Sequence, residues 1–115
     1  MKRSEIELFE KVTTQLNGVY REIAILTNKA PNGTINKFKL KFINTTLASL
    51  NGILGEKFRP FPEFYVFDVD DLPNNSDVSL ILTQYKDSAS NFKAANSKSL
   101  LEGGGWIIED EDDEF

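Results

Sequence analysis

The 115-residue chain contains no cysteine and no histidine. It therefore cannot form a disulfide, a thiolate nucleophile, the usual zinc sites or a Ser-His-Asp triad, and histidine-based acid–base catalysis is excluded. Serine, lysine and carboxylate chemistry remain, but no phosphate loop, dinucleotide fingerprint or nucleophile elbow is present. We therefore expect a protein that is not an enzyme and that needs neither a cofactor nor a metal ion.

Long apolar runs are also lacking. No stretch approaches the roughly 20 apolar residues that a membrane-spanning helix needs. The first three residues run into Glu5 and Glu7 without the continuous apolar stretch of a signal peptide. These observations predict a cytoplasmic protein without membrane association.

Charge is distributed unevenly. The net charge is −5, but residues 1–57 carry +4 and residues 58–115 carry −9. Residues 109–114 are six consecutive carboxylates, and without them the net charge would be +1. The acidity thus comes from one short run, which we call the acidic run. Because the rest of the chain is nearly neutral and has no arginine cluster, we do not expect direct nucleic-acid binding.

Apolar residues recur at three- and four-residue steps in three segments, which is typical of amphipathic helices. In the first segment the stripe runs from Ile6 to Leu26. Ser4 and Glu7 have the spacing of a capping box, so the helix is expected to begin there. The Pro-Asn-Gly sequence at residues 31–33 has the turn chemistry that ends it.

A second helix is predicted between Thr34, taken as its N-cap, and Gly55, taken as its stop. A short loop between two long helices makes them antiparallel neighbours. The apolar residues with helical spacing in this segment are Ile35, Phe38, Phe42, Ile43, Leu47, Leu50, Ile53 and Leu54.

A third helix is predicted to open at Asn75 or Ser76, with Asp77 in its first turn, where a negative charge suits the helix dipole. Together the three segments predict an all-α fold, an antiparallel helical hairpin plus a third helix in a three-helix bundle. We assign residues 1–102 to this helical domain and residues 103–115 to a glycine hinge and an acidic, aromatic tail.

The connector before the third helix, residues 58–74, is rich in aromatic residues and contains Pro60 and Pro62, which disfavour a helix. We interpret it as an ordered segment whose rings cover the helical hairpin. The alternative is a second interface, for a partner or a homodimer. The residues assigned to that interface are Phe58, Phe61, Phe64 and Tyr65.

Three carboxylates in the connector, Asp68, Asp70 and Asp71, could suggest a metal site. Their spacing lacks the glycine and the distant glutamate of an EF-hand loop. A turn that precedes a helix explains them, and no metal ligand is predicted.

The tail follows three glycines at positions 103–105 and combines large apolar residues, the acidic run and a final aromatic ring. Charge can steer an encounter with a basic partner, and a buried ring can hold the complex. The predicted partner-binding residues are Trp106, Ile107, Ile108, Glu109, Asp110, Glu111, Asp112, Asp113, Glu114 and Phe115. For residues 106–108 two readings stay open: pairing as an edge strand with a partner, or folding back beside the third helix.

Residues 110–115 resemble the acidic, Phe-ended tip of bacterial and phage single-stranded-DNA-binding proteins, but without the usual proline before the phenylalanine. The resemblance covers this hexapeptide only, and nothing in residues 1–100 resembles the five-stranded barrel of that family. It implies a peptide that recruits a partner protein.

Lys37 and Lys41 lie one helical turn apart and would share one face of the second helix. They are a candidate patch for binding phosphate or the protein's own tail, and the plainer interpretation is a solvated helix face. A patch that binds the tail would make the tail an intramolecular ligand.

These observations lead to one principal hypothesis, a non-catalytic interaction protein that binds a basic protein partner through its tail. An inhibitor of a nucleic-acid-handling enzyme, such as an antitoxin or immunity protein, fits it best, since a polyanionic peptide can imitate phosphates. The alternatives are a nucleic-acid-binding accessory protein inhibited by its own tail and a dimeric structural adaptor.

Overall fold

The computed structural model describes residues 1–109, which form three α-helices and one short 3-10 helix. The helices are α1 (Arg3–Lys29), α2 (Lys37–Phe58) and α3 (Asn75–Ala95), and the 3-10 helix is Leu100–Glu102. All three α-helices pack against one another. The described residues contain two isolated β-bridges and no strand. The predicted all-α three-helix bundle is therefore confirmed.

The start of α1 differs from the prediction. The helix begins at Arg3, and the Glu5 carboxylate accepts a hydrogen bond of 2.8 Å from the Lys2 backbone N–H. Because the helix begins before Ser4, Glu5 occupies the third helical position, and this is where a carboxylate can reach back to the cap. The predicted capping box of Ser4 and Glu7 is wrong, although the same chemistry operates two residues earlier.

The start of α2 also lies elsewhere. The Asn36 side chain accepts a hydrogen bond of 2.8 Å from the Lys39 N–H, so Asn36 is the N-cap and the prediction of Thr34 is wrong. Thr34 instead forms an antiparallel bridge with Asn74. This bridge draws the loop between α1 and α2 against the start of α3.

Gly55 breaks the helical geometry of α2, as expected. Its backbone has φ 65° and ψ −177°, which a residue with a Cβ rarely adopts. One further turn follows to Phe58, and the Arg59 N–H donates to the Gly55 carbonyl at 3.0 Å. Gly55 therefore redirects the chain from α2 into the connector.

The third helix begins at Asn75, one of the two predicted positions. Asn74 is its N-cap and accepts a hydrogen bond of 2.8 Å from the Asp77 N–H. The buried Asn75 side chain donates to the Ala30 carbonyl at 2.8 Å, which ties α3 to the end of α1. Within residues 1–109, no helix combines the length and the apolar character needed to cross a bilayer.

One continuous apolar core joins the three helices. Its fully buried members come from every helix and from Ile35 in the first loop. They are Phe9, Val12, Leu16, Ile23, Ile35, Leu40, Ile43, Leu47, Leu50, Leu54, Val78, Leu82, Tyr85, Ala89 and Phe92. Leu40 is in this core and was not among the predicted stripe residues. Phe38 and Phe42 were predicted in the stripe but are mostly exposed.

Candidate interaction surface

The three glycines after the 3-10 helix form a hydrogen-bonded reversal. Gly103, Gly104 and Gly105 have φ of 99°, 69° and 78°, a region that favours glycine. The Lys98 N–H donates to the Gly105 carbonyl at 2.7 Å, and the Gly104 N–H donates to the Ser99 carbonyl at 2.9 Å. The predicted hinge is thus a defined turn that brings the chain back onto the bundle. We call residues 103–109 the tail base.

Trp106 anchors the tail base between α1 and α3. Its ring meets that of Phe9 edge-on, with centroids 5.3 Å apart, and its Nε1–H donates to the Glu10 carboxylate at 2.9 Å. The Lys93 ammonium lies 5.4 Å from the indole centroid and 3.5 Å from the same carboxylate. A half-buried ring with its polar atom satisfied is a specific anchor.

Met1, which precedes α1, holds the far end of the tail base. The Met1 ammonium donates to the Ile107 carbonyl at 2.9 Å and lies 3.6 Å from the Glu109 carboxylate. The Glu109 N–H donates back to the Met1 carbonyl at 2.9 Å. The tail base therefore crosses the N-terminal end of α1, and Glu109 is the first carboxylate of the acidic run.

The two isoleucines of the tail base face outward. Ile107 and Ile108 are 45% and 43% exposed, whereas the ring of Trp106 packs against the core. The structure thus places residues 106–108 folded back on the protein's own helices, the second of the two readings. Residues 110–115 lie outside the described part of the chain, so their predicted partner-binding role stays a prediction.

Lys37 and Lys41 are both exposed on α2. The Lys37 ammonium lies 3.9 Å from the Asp70 carboxylate of the connector, an exposed pair of the kind that contributes little to stability. Both lysines belong to the start of α2, whereas the tail base contacts Met1 and lies beside the later part of α2. The described tail residues therefore do not reach this patch.

The connector aromatics pack largely inward. The Phe58 ring lies 5.3 Å from that of Phe92, and the Phe64 ring lies 6.3 Å from that of Tyr85. Phe61 is partly buried, while Tyr65 is 51% exposed under the Arg59 guanidinium. The connector thus covers the core, and its use as a second interface stays a prediction.

The acidic turn of the connector is held by its own backbone. The Asp68 carboxylate accepts a hydrogen bond of 2.9 Å from the Asp70 N–H, and the Asp71 N–H donates to the Asp68 carbonyl at 3.1 Å. Among residues 1–109, no group of three histidine, cysteine, aspartate or glutamate side chains has the arrangement to hold a metal ion.

A surface that the sequence did not single out lies on the outer side of α1 and α2. Phe38 is 71% exposed and Phe42 is 56% exposed, with ring centroids 5.0 Å apart. They form one wall of an apolar pocket of about 200 Å³, whose other wall includes Val19 and Ile23 of α1. We call this the Phe38–Phe42 pocket. The sequence could have indicated this pocket, because Phe38 and Phe42 lie well over a quarter-turn around the helix from the core residues Leu40 and Leu47.

The rim of this pocket carries one ion pair, and a second lysine lies nearby. The Lys39 ammonium donates to the Glu22 carboxylate at 2.9 Å. This hydrogen bond, the charge of Lys39 and the nearby charge of Lys29 hold the pKa of Glu22 below its ordinary value. Among residues 1–109, Glu22 is the one carboxylate that lines the pocket, and two lysines act on it.

Comparison with known proteins adds no relative: no family model matches the chain, and neither a curated protein nor a solved structure is significantly similar to it.

Proposed function

We propose that this chain is a non-catalytic interaction protein that binds a basic protein partner through the acidic run. Of the partner classes, a nucleic-acid-handling enzyme fits best, and the chain would act as its inhibitor in the manner of an antitoxin or immunity protein. Consecutive carboxylates resemble a phosphate backbone in charge and spacing, and such an enzyme has a basic groove that binds phosphates.

The observation that carries this proposal is the anchoring of the tail base. Trp106 and the contacts of Met1 with Glu109 hold the start of the acidic run at a defined place on the bundle. An acidic tail that served solubility alone would need no such anchor. A fixed starting point lowers the conformational entropy that a peptide loses on binding, and it therefore favours recognition.

Two exposed side chains extend the candidate surface. Ile107 and Ile108 project from the tail base beside Glu109, so an apolar contact is available next to the charges. Interfaces commonly join a small apolar centre to a charged rim. The proposal assigns the apolar contact to these isoleucines and to Phe115, and the steering charge to residues 109–114.

Affinity capture with three proteins tests the proposal: the full chain, a chain ending at Glu109, and a chain with residues 110–114 changed to the corresponding amides. The amide variant keeps the length, Phe115 and the Glu109 contact with Met1. We expect the full chain to capture a basic enzyme and inhibit its action on nucleic acid, with binding that weakens as salt rises. Both variants should lose capture and inhibition.

One result would contradict the proposal. If the shortened chain captures the same proteins with unchanged affinity and salt dependence, the acidic run is not the recognition element. Capture of a nucleic acid without a protein by the shortened chain would instead support an accessory protein inhibited by its own tail.

A further inference from the structure

Two hollows lie along the surface where α1 and α2 pack together, one at the end of the tail base and the other the Phe38–Phe42 pocket; we call the surface between them the groove. Glu109 borders a hollow of about 510 Å³ that is also lined by Leu8 of α1 and by Ser49 and Gly52 of α2. The Phe38–Phe42 pocket lies between the same two helices, nearer the start of α2. Residues of α1 and α2 line both openings, and Phe92 and Asn96 at the end of α3 also line the hollow beside Glu109.

Between the two openings, the exposed side of α2 carries small residues. Phe38, Phe42, Thr45, Ser49 and Gly52 follow one another at steps of four and three residues, so they form a single stripe along α2. Thr45, Ser49 and Gly52 are exposed and have small side chains or none. The stripe thus changes from small residues near Glu109 to two aromatic rings at its far end.

Residues 110–115 are long enough to run from Glu109 to the Phe38–Phe42 pocket. From Ser49 to Phe42 the helix rises about 10 Å, and from Gly52 to Phe38 about 21 Å. The six residues at positions 110–115 can span at most about 20 Å when extended. Phe115 can therefore reach the level of the Phe38–Phe42 pocket, and a much shorter segment could not.

The chemistry at the far end suits a ring preceded by carboxylates. The pocket of about 200 Å³ is apolar, and about 150 Å³ is enough to hold benzene. Lys39 lines it, Lys29 acts on Glu22 at its rim, and exposed Lys41 lies on the next turn of α2. Burial of the ring and attraction between these lysines and the acidic run both favour the same placement.

We propose that residues 110–115 dock in the groove between α1 and α2 of the same molecule, with the Phe115 ring in the Phe38–Phe42 pocket. In this self-bound form residues 110–115 are covered by the protein's own helices. A partner with a more basic groove would displace these residues from the helices and bind them instead. The inference deepens the proposed function, since the same segment would serve both sites, but docking itself requires no partner.

The test uses purified protein alone. The chain has no cysteine, so Asp113→Cys provides one site for a nitroxide label, and an NMR spectrum reports which backbone amides the label broadens. We expect the amides of Val19, Phe42 and Ile43 to lose most of their intensity, while that of Leu80, on the outer face of α3, keeps it. The broadening should be the same in a dilute sample.

Two substitutions in the labelled protein probe the pocket. Phe115→Ala removes the ring from a segment beyond the described helices, and Phe42→Ala trims a side chain that is already 56% exposed, so the bundle should stay folded in both. Each should abolish the broadening at Val19 and Ile43. Leu80→Ala is the matched control, because Leu80 is 59% exposed and lies outside the groove, and it should leave the broadening unchanged.

Three results would overturn the inference. One is an absence of broadening in the groove, and another is broadening that survives both Phe115→Ala and Phe42→Ala. The third is broadening that appears only when labelled protein is mixed with a second, isotope-labelled copy, because the tail would then dock on a neighbour. Since no partner is present, failure here leaves the affinity-capture test untouched, and failure of that test leaves this result untouched.

Discussion

Two non-helical segments cover the helices of this protein, and they are held in different ways. The connector, residues 58–74 with Phe58 at the end of α2, is fixed by side chains that reach out of the core: buried Asn51 donates to the Tyr65 carbonyl and accepts from the Tyr85 hydroxyl, at 2.8 and 2.7 Å. Asn44 forms two hydrogen bonds with the backbone of Phe67, at 2.8 and 3.0 Å.

The tail base is held from outside the core. Its fixed points are the half-buried ring of Trp106, a hydrogen bond to exposed Glu10, and contacts with Met1. Buried polar side chains become costly when they lose their partners, whereas exposed ones recover hydrogen bonds with water. The connector should therefore open only when the bundle unfolds, and the tail base can detach while the bundle stays folded.

The largest expected effect comes from Asn51→Ala. The substitution removes both hydrogen bonds and leaves the Tyr85 hydroxyl and the Tyr65 carbonyl without that partner. We expect the free energy of unfolding to fall by about 2–4 kcal/mol, since each buried group left unsatisfied costs roughly 1–3 kcal/mol. Urea unfolding measures the change. A loss no larger than that of an exposed substitution such as Ser49→Ala would show that the connector is not fixed by this network.

A smaller effect is expected from Trp106→Ala in the tail base. The free energy of unfolding should fall by only about 1–2 kcal/mol, because the indole is half-buried and its hydrogen bond is exposed. Hydrogen exchange should show the Lys98, Ile107 and Glu109 amides losing protection while those of the helices keep it. Trp106→Phe should retain part of the packing and thus part of the protection. Uniform loss of protection across all three helices would contradict a detachable tail base.

The smallest effect concerns alkaline pH. Burial raises the pKa of Tyr85, and this outweighs the opposing effects of Asn51 and Arg59. A group with a raised folded-state pKa contributes stability that is complete below its unfolded pKa, about 10, and that is lost as pH rises above it. We expect the unfolding free energy to decline above about pH 10, and to decline less in Tyr85→Phe. Tyr20→Phe is the control and should keep the full decline.

Local signals in the sequence were sufficient to predict the three helices and the approximate positions of their ends. Asn75 and Gly55 were located from capping and stop chemistry, since these preferences depend on a few neighbouring residues. The N-caps of α1 and α2 were missed by two residues: Ser4 is a preferred cap residue but α1 begins after Lys2, and Asn36, which ranks above Thr34 as a cap, is the N-cap of α2. Capping preference alone therefore does not fix the residue at which a helix begins.

The candidate site was predicted in part. The glycine turn and the importance of Trp106 follow from composition, but the sequence left open whether residues 106–108 fold back. The choice depends on Phe9, Glu10 and Lys93, which are distant in sequence and meet Trp106 only when α1 and α3 pack together. The Phe38–Phe42 pocket was missed because helical spacing alone does not say which of two apolar stripes on α2 faces the core.

The sequence by itself determined the helical class, the three helices and the concentration of negative charge in residues 109–114, because periodicity, turn chemistry and charge are properties of short segments. Only the tertiary structure decided which helix faces are buried, where on the bundle the tail base is anchored and which aromatic rings stay exposed. These features depend on contacts between residues far apart in the chain, and such contacts exist only after the helices have packed against one another.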